Sequence, residues 1–128
     1  PELTEQFDKA VKSLNSEATA TAYFFGENCN YMDSTPPKFG VMETDFTVRL
    51  PVDNLSNEEA FGNWIAQVMD ATLQLPEEEI QGKYGFVEFW FEQSEANHIT
   101  FRVQIPQYQA EAQGKTGAEL FRMYYSPP

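Results

Sequence analysis

The chain has 128 residues, of which 41% are hydrophobic and 15% aromatic, so it holds enough apolar material for the core of one domain. Its net charge of -12 gives a negative surface, which disfavours nucleic acid and anionic membranes as partners. Cys29 is the only cysteine, which excludes an internal disulfide. No apolar run approaches the roughly 18 residues of a membrane span, so we expect no span in the chain shown.

The chain begins at Pro1 rather than at methionine. This start leads us to expect that residues upstream were removed, and it favours an extracytoplasmic domain that is secreted, periplasmic or anchored upstream of Pro1. The sequence contains no internal repeat and no linker-like segment. Residues 1–128 are therefore predicted to form a single domain.

The first half of the chain predicts one helix followed by strands. Apolar residues at helical spacing predict a helix over about residues 3–15. Residues 18–25 alternate and predict a strand whose alanine face lets a helix approach closely. Residues 26–44 are rich in turn formers, so they predict an irregular loop with short edge strands at 31–32 and 39–42. Residues 46–52 predict a strand that ends at an edge or margin and carries Arg49 on its outer face.

The main helix is predicted next along the chain. Ser56 and Glu59 have the spacing of a capping box, in which each side chain bonds the backbone N–H of the other residue. An apolar stripe that includes Trp64 then predicts a helix over about residues 57–74. Residues 107–113 are compatible with a strand margin, a turn or a short helix. A second capping-box spacing at Thr116 and Glu119 predicts a short last helix.

The stretch from Tyr84 to Ile105 predicts the β-hairpin around which the domain is arranged. Centring its loop on Glu95 pairs apolar residues on one face: Val87 with Val103, Phe89 with Phe101, and Phe91 with Ile99. The same register pairs polar or charged residues on the other face: Glu88 with Arg102, Trp90 with Thr100, and Glu92 with His98. The apolar face is predicted to pack on the main helix.

These elements predict an α+β fold. We expect an antiparallel sheet of four to five strands with a central amphipathic helix packed on one face and short helices at both termini, in the order α-β-(β)-β-α-β-β-α.

Catalytic and metal-binding motifs are missing from the sequence. It contains no nucleophile elbow, glycine-rich phosphate loop or HExxH motif, so we expect a protein that is not an enzyme and needs no cofactor or metal. Cys29 and His98 are the only possible thiol dyad, and their spacing does not support one. Cys29 and Met32 offer only two soft metal ligands, so loop packing is the favoured role. Glu88 and Glu92 resemble a hydrolase pair, but their predicted partners favour ion pairs.

One group of residues does indicate a site. If Val87, Phe89 and Phe91 face the main helix, the opposite side of the sheet carries four conspicuous residues: Phe86, Trp90, Arg49 and Arg102. Large aromatic residues on a solvated face need an explanation. Either the first or last helix covers them, or the face binds a partner, because Trp and Arg are enriched where protein interfaces bind most strongly.

The leading hypothesis is therefore a non-enzymatic protein-binding module that contacts another protein or a second copy of itself through this face or through the loop at 26–44. A small apolar-ligand carrier or an enzyme that uses the aromatic-lined sheet face is the second class. The element order, size and acidity also resemble those of the chaperones that hold export substrates for type III secretion. That resemblance, which is one of topology, implies a dimer that binds a protein substrate.

Overall fold

The computed structural model describes residues 2–26 and 40–127. Its strands are β1 (Thr19–Gly26), β2 (Val41–Pro51), β3 (Lys83–Glu92) and β4 (His98–Gln104). Its helices are α1 (Glu2–Leu14), α2 (Glu58–Leu73), α3 (Ile105–Glu111) and α4 (Gly117–Tyr124), with a short 3-10 helix at Glu77–Glu79. Over these two ranges the fold is α+β, as predicted, and no helix in them is long and apolar enough to cross a membrane.

The four strands found in the described ranges form one mixed sheet in the order β1-β2-β3-β4. The outer pairs, β1 with β2 and β3 with β4, are antiparallel, whereas β2 and β3 run parallel. The prediction of an antiparallel sheet is therefore wrong at its centre. The reason is the connection: α2 carries the chain back along the sheet, so β3 starts at the same end as β2.

Strand β2 is longer than predicted, because it begins at Val41 and so includes the last residues of the predicted loop. It lies between β1 and β3, and of the two predicted endings, an edge or a margin, it has the margin. Pro51 is tolerated because it is the last residue of the strand. The short strand predicted at residues 31–32 falls outside the described residues.

The predicted hairpin register is confirmed at all six positions. Val87, Phe89 and Phe91 are buried, and they face the helices. The ring of Phe61 in α2 stacks on that of Phe91 with centroids 4.3 Å apart, and the Phe121 ring of α4 lies 5.6 Å from Phe61. This confirms that the main helix packs on the apolar face of the hairpin.

Helix α1 packs on the same face and also closes the free edge of β1. The ring of Phe7 lies 4.8 Å from that of Phe46 in β2. Three α1 side chains hydrogen-bond outward-facing backbone groups of β1 and of the residue just before it. Lys12 donates to Ala18 O at 2.9 Å, Asp8 accepts from Ala20 N at 2.9 Å, and Thr4 contacts Ala22 O at 2.8 Å and Ala22 N at 3.0 Å. Backbone groups held in this way are not free to pair with another strand.

Neither predicted capping box forms. Asn57, rather than Ser56, is the residue that caps α2, and its side chain accepts from Ala60 N at 3.1 Å. Glu59 does not reach back to Ser56. At the start of α4, the Thr116 side chain makes no capping hydrogen bond.

Helix α4 is capped instead by side chains of α2. Asn63 Oδ1 accepts from Gly117 N at 2.9 Å, and Glu59 Oε1 accepts from Ala118 N at 3.0 Å. The two helices meet closely because Gly62 has no side chain: a Cβ at that position would overlap the carbonyl oxygen of Gly117. The packing of α2 therefore fixes where α4 begins.

Candidate functional site on the open sheet face

Helices α1, α2, α3 and α4 pack on the face that holds Val87, Phe89 and Phe91, which we call the covered face. The opposite face, which we call the open face, carries the alternate residues of each strand. All four residues singled out from the sequence lie on it: Phe86, Trp90, Arg49 and Arg102. The alternative in which the first or last helix covers these residues is wrong, because α1 and α4 contact the covered face.

Arg49 and Trp90 form the first contact of the open face. The parallel register of β2 and β3 sets these residues opposite each other, and the guanidinium carbon of Arg49 lies 4.1 Å from the centroid of the Trp90 ring. Glu92 holds the guanidinium from the side, with Arg49 Nε donating to Oε1 at 3.2 Å and Nη2 to Oε2 at 2.7 Å. This fork-like pairing with Glu92 raises the pKa of Arg49. The cation is thereby fixed over the indole.

Arg102 and Phe86 repeat the arrangement across the β3–β4 pair. The guanidinium carbon of Arg102 lies 4.1 Å from the centroid of the Phe86 ring, and Arg102 Nε donates to Glu88 Oε2 at 3.0 Å. Phe86 is only 9% exposed although it lies on the open face. Its ring is therefore a supported platform under the guanidinium rather than a free apolar surface.

Glu88 joins the two units into one network. Its Oε1 accepts from Trp90 Nε1 at 2.8 Å while its Oε2 accepts from Arg102. Burial alone would raise the pKa of the Glu88 carboxyl, but the hydrogen bonds from Trp90 and Arg102 outweigh it and lower the pKa below its ordinary value. The carboxylate is thus ionised at neutral pH. The network holds two arginines, Arg49 and Arg102, and two glutamates, so its formal charges cancel.

The predicted ion pairs are confirmed in one case and wrong in the other. Glu88 pairs with Arg102, as expected. Glu92 faces His98 in the strand register, yet its carboxylate binds Arg49. The cause is the parallel β2–β3 pair, which the sequence pattern did not indicate and which brings Arg49 beside Glu92. Both carboxylates are held by arginine, as the ion-pair alternative to a hydrolase pair requires.

A second feature of the open face, the pair Glu43 and Asp45, was missed in the sequence. Asp45 is only 3% exposed and sits at an irregularity in the pairing of β2 with β3. Its Oδ1 accepts from Phe86 N at 3.1 Å, so it supports the backbone under the aromatic ring. Burial, and then a hydrogen bond with Glu43, raises the pKa of the Asp45 carboxyl to about 7.

A signal for this pair was present in the sequence. Asp is depleted in strand interiors, so an aspartate immediately before an alternating run marks either a turn or a special position in a strand. Glu43 lies in the stretch that the turn-rich composition predicts to be a loop, whereas in the structure Glu43 and Asp45 continue the outward-facing series of Arg49 along β2.

Cys29 and Met32 lie outside the described residues, so the thiol dyad and the soft metal pair are not tested. Within residues 2–26 and 40–127, no group of three or more His, Cys, Asp or Glu side chains is placed to hold a metal ion. No protein-family model, curated protein or solved structure matches this chain. Function is therefore inferred from the geometry of the open face.

Proposed function

We propose that this chain is a non-enzymatic protein-binding module that contacts its partner through the open face at Arg49, Trp90, Phe86 and Arg102. One observation carries the proposal: two arginines are seated over aromatic rings on a sheet face that no described helix covers. Aromatic residues and arginine are the side chains that contribute most at protein interfaces.

The network reduces the entropy and desolvation penalties of binding a partner. Arg49 and Arg102 are already held by carboxylates and by the rings beneath them, so they lose little conformational freedom when a partner arrives. Their charges are also compensated in advance, which limits the penalty for removing them from water. A preorganised surface of this kind suits a partner with a complementary flat face.

The charge of the chain favours a different protein over a second copy. The network itself is neutral, but the chain carries a net charge of -12, so two copies repel each other at long range. A partner with a basic contact surface is attracted instead, and one with a neutral surface is not repelled. The partner that we propose is therefore another protein with such a surface. A secretion-chaperone-like dimer would need to overcome the repulsion between its own subunits.

Two grooves lined by described residues give less support to a small-ligand carrier. One, of about 590 Å³, lies where the start of α1 meets the end of β1, and another, of about 470 Å³, lies between α1 and α2. Neither includes any of the four site residues. An aromatic-lined ligand site would require a concave pocket with converging polar groups at those residues.

Site-specific photo-crosslinking tests the proposal. A crosslinker replaces Thr100, which is exposed and pairs with Trp90 in the strand register, and a control crosslinker replaces Lys9 on α1. In extract of the source cells we expect the Thr100 position, but not the Lys9 position, to capture a discrete protein. Trp90→Ala should weaken the affinity for that protein by about 30-fold or more, equivalent to ~2 kcal/mol. Equal capture by the wild type and by Trp90→Ala would rule out the face as the binding site.

Fluorescence and mass show whether the face is free in the isolated chain. Trp64→Phe leaves Trp90 as the only indole, and it breaks no hydrogen bond among the described residues because Trp64 Nε1 has no partner there. We expect Trp90 emission to be quenched by acrylamide and the sedimentation mass to stay monomeric. A strongly protected Trp90 in a monomer would contradict the proposal. A dimer that Trp90→Ala dissociates would identify the partner as a second copy.

A further inference from the structure

We infer that the Glu43–Asp45 carboxyl pair is a proton switch that adds negative charge to the open face as the pH rises through neutrality. The inference deepens the proposed function, because it concerns the regulation of the same face and has biological meaning only if that face binds a partner. Its physical basis is a set of contacts at the Phe86 end of the network.

The first contact ties Asp45 to the backbone of the site. Asp45 is 3% exposed, and its Oδ1 accepts from Phe86 N at 3.1 Å. It lies where the register of β2 and β3 shifts between Thr44 and Phe46, so no regular ladder partner competes for that N–H. A buried carboxyl group is thus built into the strand pair that carries the Phe86 platform.

The second contact brings Glu43 beside Asp45 in the space above Gly85. A Cβ on Gly85 would overlap Asp45 Oδ1 and would lie 2.5 Å from Glu43 Oε2, so glycine is the residue that leaves room for both carboxyl groups. Two carboxylates this close repel each other when both are ionised, whereas one proton between them forms a hydrogen bond. The geometry therefore favours the singly protonated pair, and the raised pKa of Asp45, about 7, agrees with it.

Among residues 2–26 and 40–127, few other charges oppose this preference. Tyr23 of β1 is paired with Asp45 and Lys83 of β3 with Glu43, and Arg102 of β4 is the cation whose charge favours ionised Asp45. The described helices lie on the covered face. Arg102 is already paired with Glu88, so it compensates the second carboxylate only in part.

Proton loss has two consequences. The folded chain holds the Asp45 proton up to about pH 7, whereas the ordinary pKa is 3.8, so the folded form binds more protons between these values. The free energy of unfolding should therefore fall as the pH rises through that window and level off above it. Above neutrality the open face gains one negative charge beside Arg102, which should favour a basic partner.

Titration of the free chain tests the switch without any partner, so its result is independent of whether the face binds a protein. We expect the Asp45 carboxyl carbon, followed by NMR, to titrate with a midpoint near pH 7. Glu43→Gln should lower that midpoint, because it removes the neighbouring negative charge, whereas Asp53→Asn, at an exposed turn, should leave it unchanged. A midpoint near the ordinary value of 3.8 in the wild type would overturn the inference.

Urea denaturation at different pH values gives a second test of the proton switch. In urea, the wild-type midpoint should decline between pH 5 and 7.5, and Asp45→Asn should flatten the decline, because Asn keeps an acceptor for Phe86 N but does not titrate. Parallel profiles for the wild type and Asp45→Asn would contradict the inference. If Asp45→Asn does not fold, Glu43→Gln and the wild-type NMR titration decide the question.

Discussion

The two faces of the sheet are built from the same strands and differ in how their side chains are held. On the covered face, Phe89 and Phe91 are almost wholly buried against helices. On the open face, Arg49 and Trp90 are held by one another and by carboxylates at the surface. Buried aromatic area contributes most of the stability, whereas exposed ion pairs typically contribute only ~0–1 kcal/mol each. The open face is therefore organised without being a main source of stability, and substitutions on the two sides should behave differently.

The largest effect on stability is expected in the core, between the covered face of the sheet and the helices. Trp64 is 6% exposed in α2, as predicted from the helical stripe, so Trp64→Ala should lower the free energy of unfolding by about 3–5 kcal/mol or prevent folding. Urea denaturation followed by far-UV circular dichroism measures it. A loss below about 1 kcal/mol would mean that the core is arranged differently.

The contact of α2 with α4 should be the next most sensitive place. Gly62→Ala places a methyl group into the carbonyl oxygen of Gly117, so it should cost about 2–3 kcal/mol as the helices are forced apart. Gly40→Ala is the matched control, because a Cβ there meets nothing within 4 Å. Similar melting temperatures for the two variants would show that α2 and α4 can separate without penalty.

A smaller loss is expected where α2 caps α4. Glu59→Ala removes the acceptor of Ala118 N and should cost about 1 kcal/mol. Glu59→Gln keeps an oxygen acceptor and should cost less. Hydrogen exchange at the first amides of α4 locates the change. If those amides exchange at the wild-type rate in both variants, Glu59 does not cap α4.

The smallest change is expected on the open face. Glu92→Gln removes the charge that pairs with Arg49 and should alter the free energy of unfolding by no more than about 1 kcal/mol, with the difference fading in high salt. Glu95→Gln, in the exposed hairpin loop, serves as control. A loss of several kcal/mol would erase the contrast between the two faces.

The sequence predicted the register of the hairpin at all six positions because two constraints agree there. The alternation of Phe86 to Glu92 sets the faces, and a loop centred on Glu95 sets the register, so one choice makes every apolar pair meet. Helices α1, α2 and α4 were predicted for a similar reason, since apolar residues at helical spacing need no information about distant partners. Helix α3 was not, because the pattern of residues 107–113 is compatible with a strand margin, a turn or a short helix.

The direction of β2 relative to β3 depends on such distant information. An alternating pattern is the same in parallel and antiparallel pairs, and only the path of α2 decides between them. The capping-box predictions were wrong for the same reason, because they take no account of distant partners. Glu59 has capping-box spacing from Ser56, but its carboxylate accepts from the backbone N–H of Ala118, far along the chain. An aspartate next to a strand marks Asp45 as a special position, but its pairing with Glu43 becomes visible only once Gly85 is known to lie beside both carboxyl groups.

The way α1 closes the edge of β1 follows from a match between two repeats. Four residues of an α-helix rise about 6 Å, and two residues of a β-strand advance about 6.6 Å, so side chains at every fourth helix position stay in step with every second strand residue. Thr4, Asp8 and Lys12 use that match to supply an acceptor or a donor at each step. A designer could transplant this triplet onto another helix that runs antiparallel to an exposed strand, and thereby stop a sheet from growing without adding proline or a charged strand.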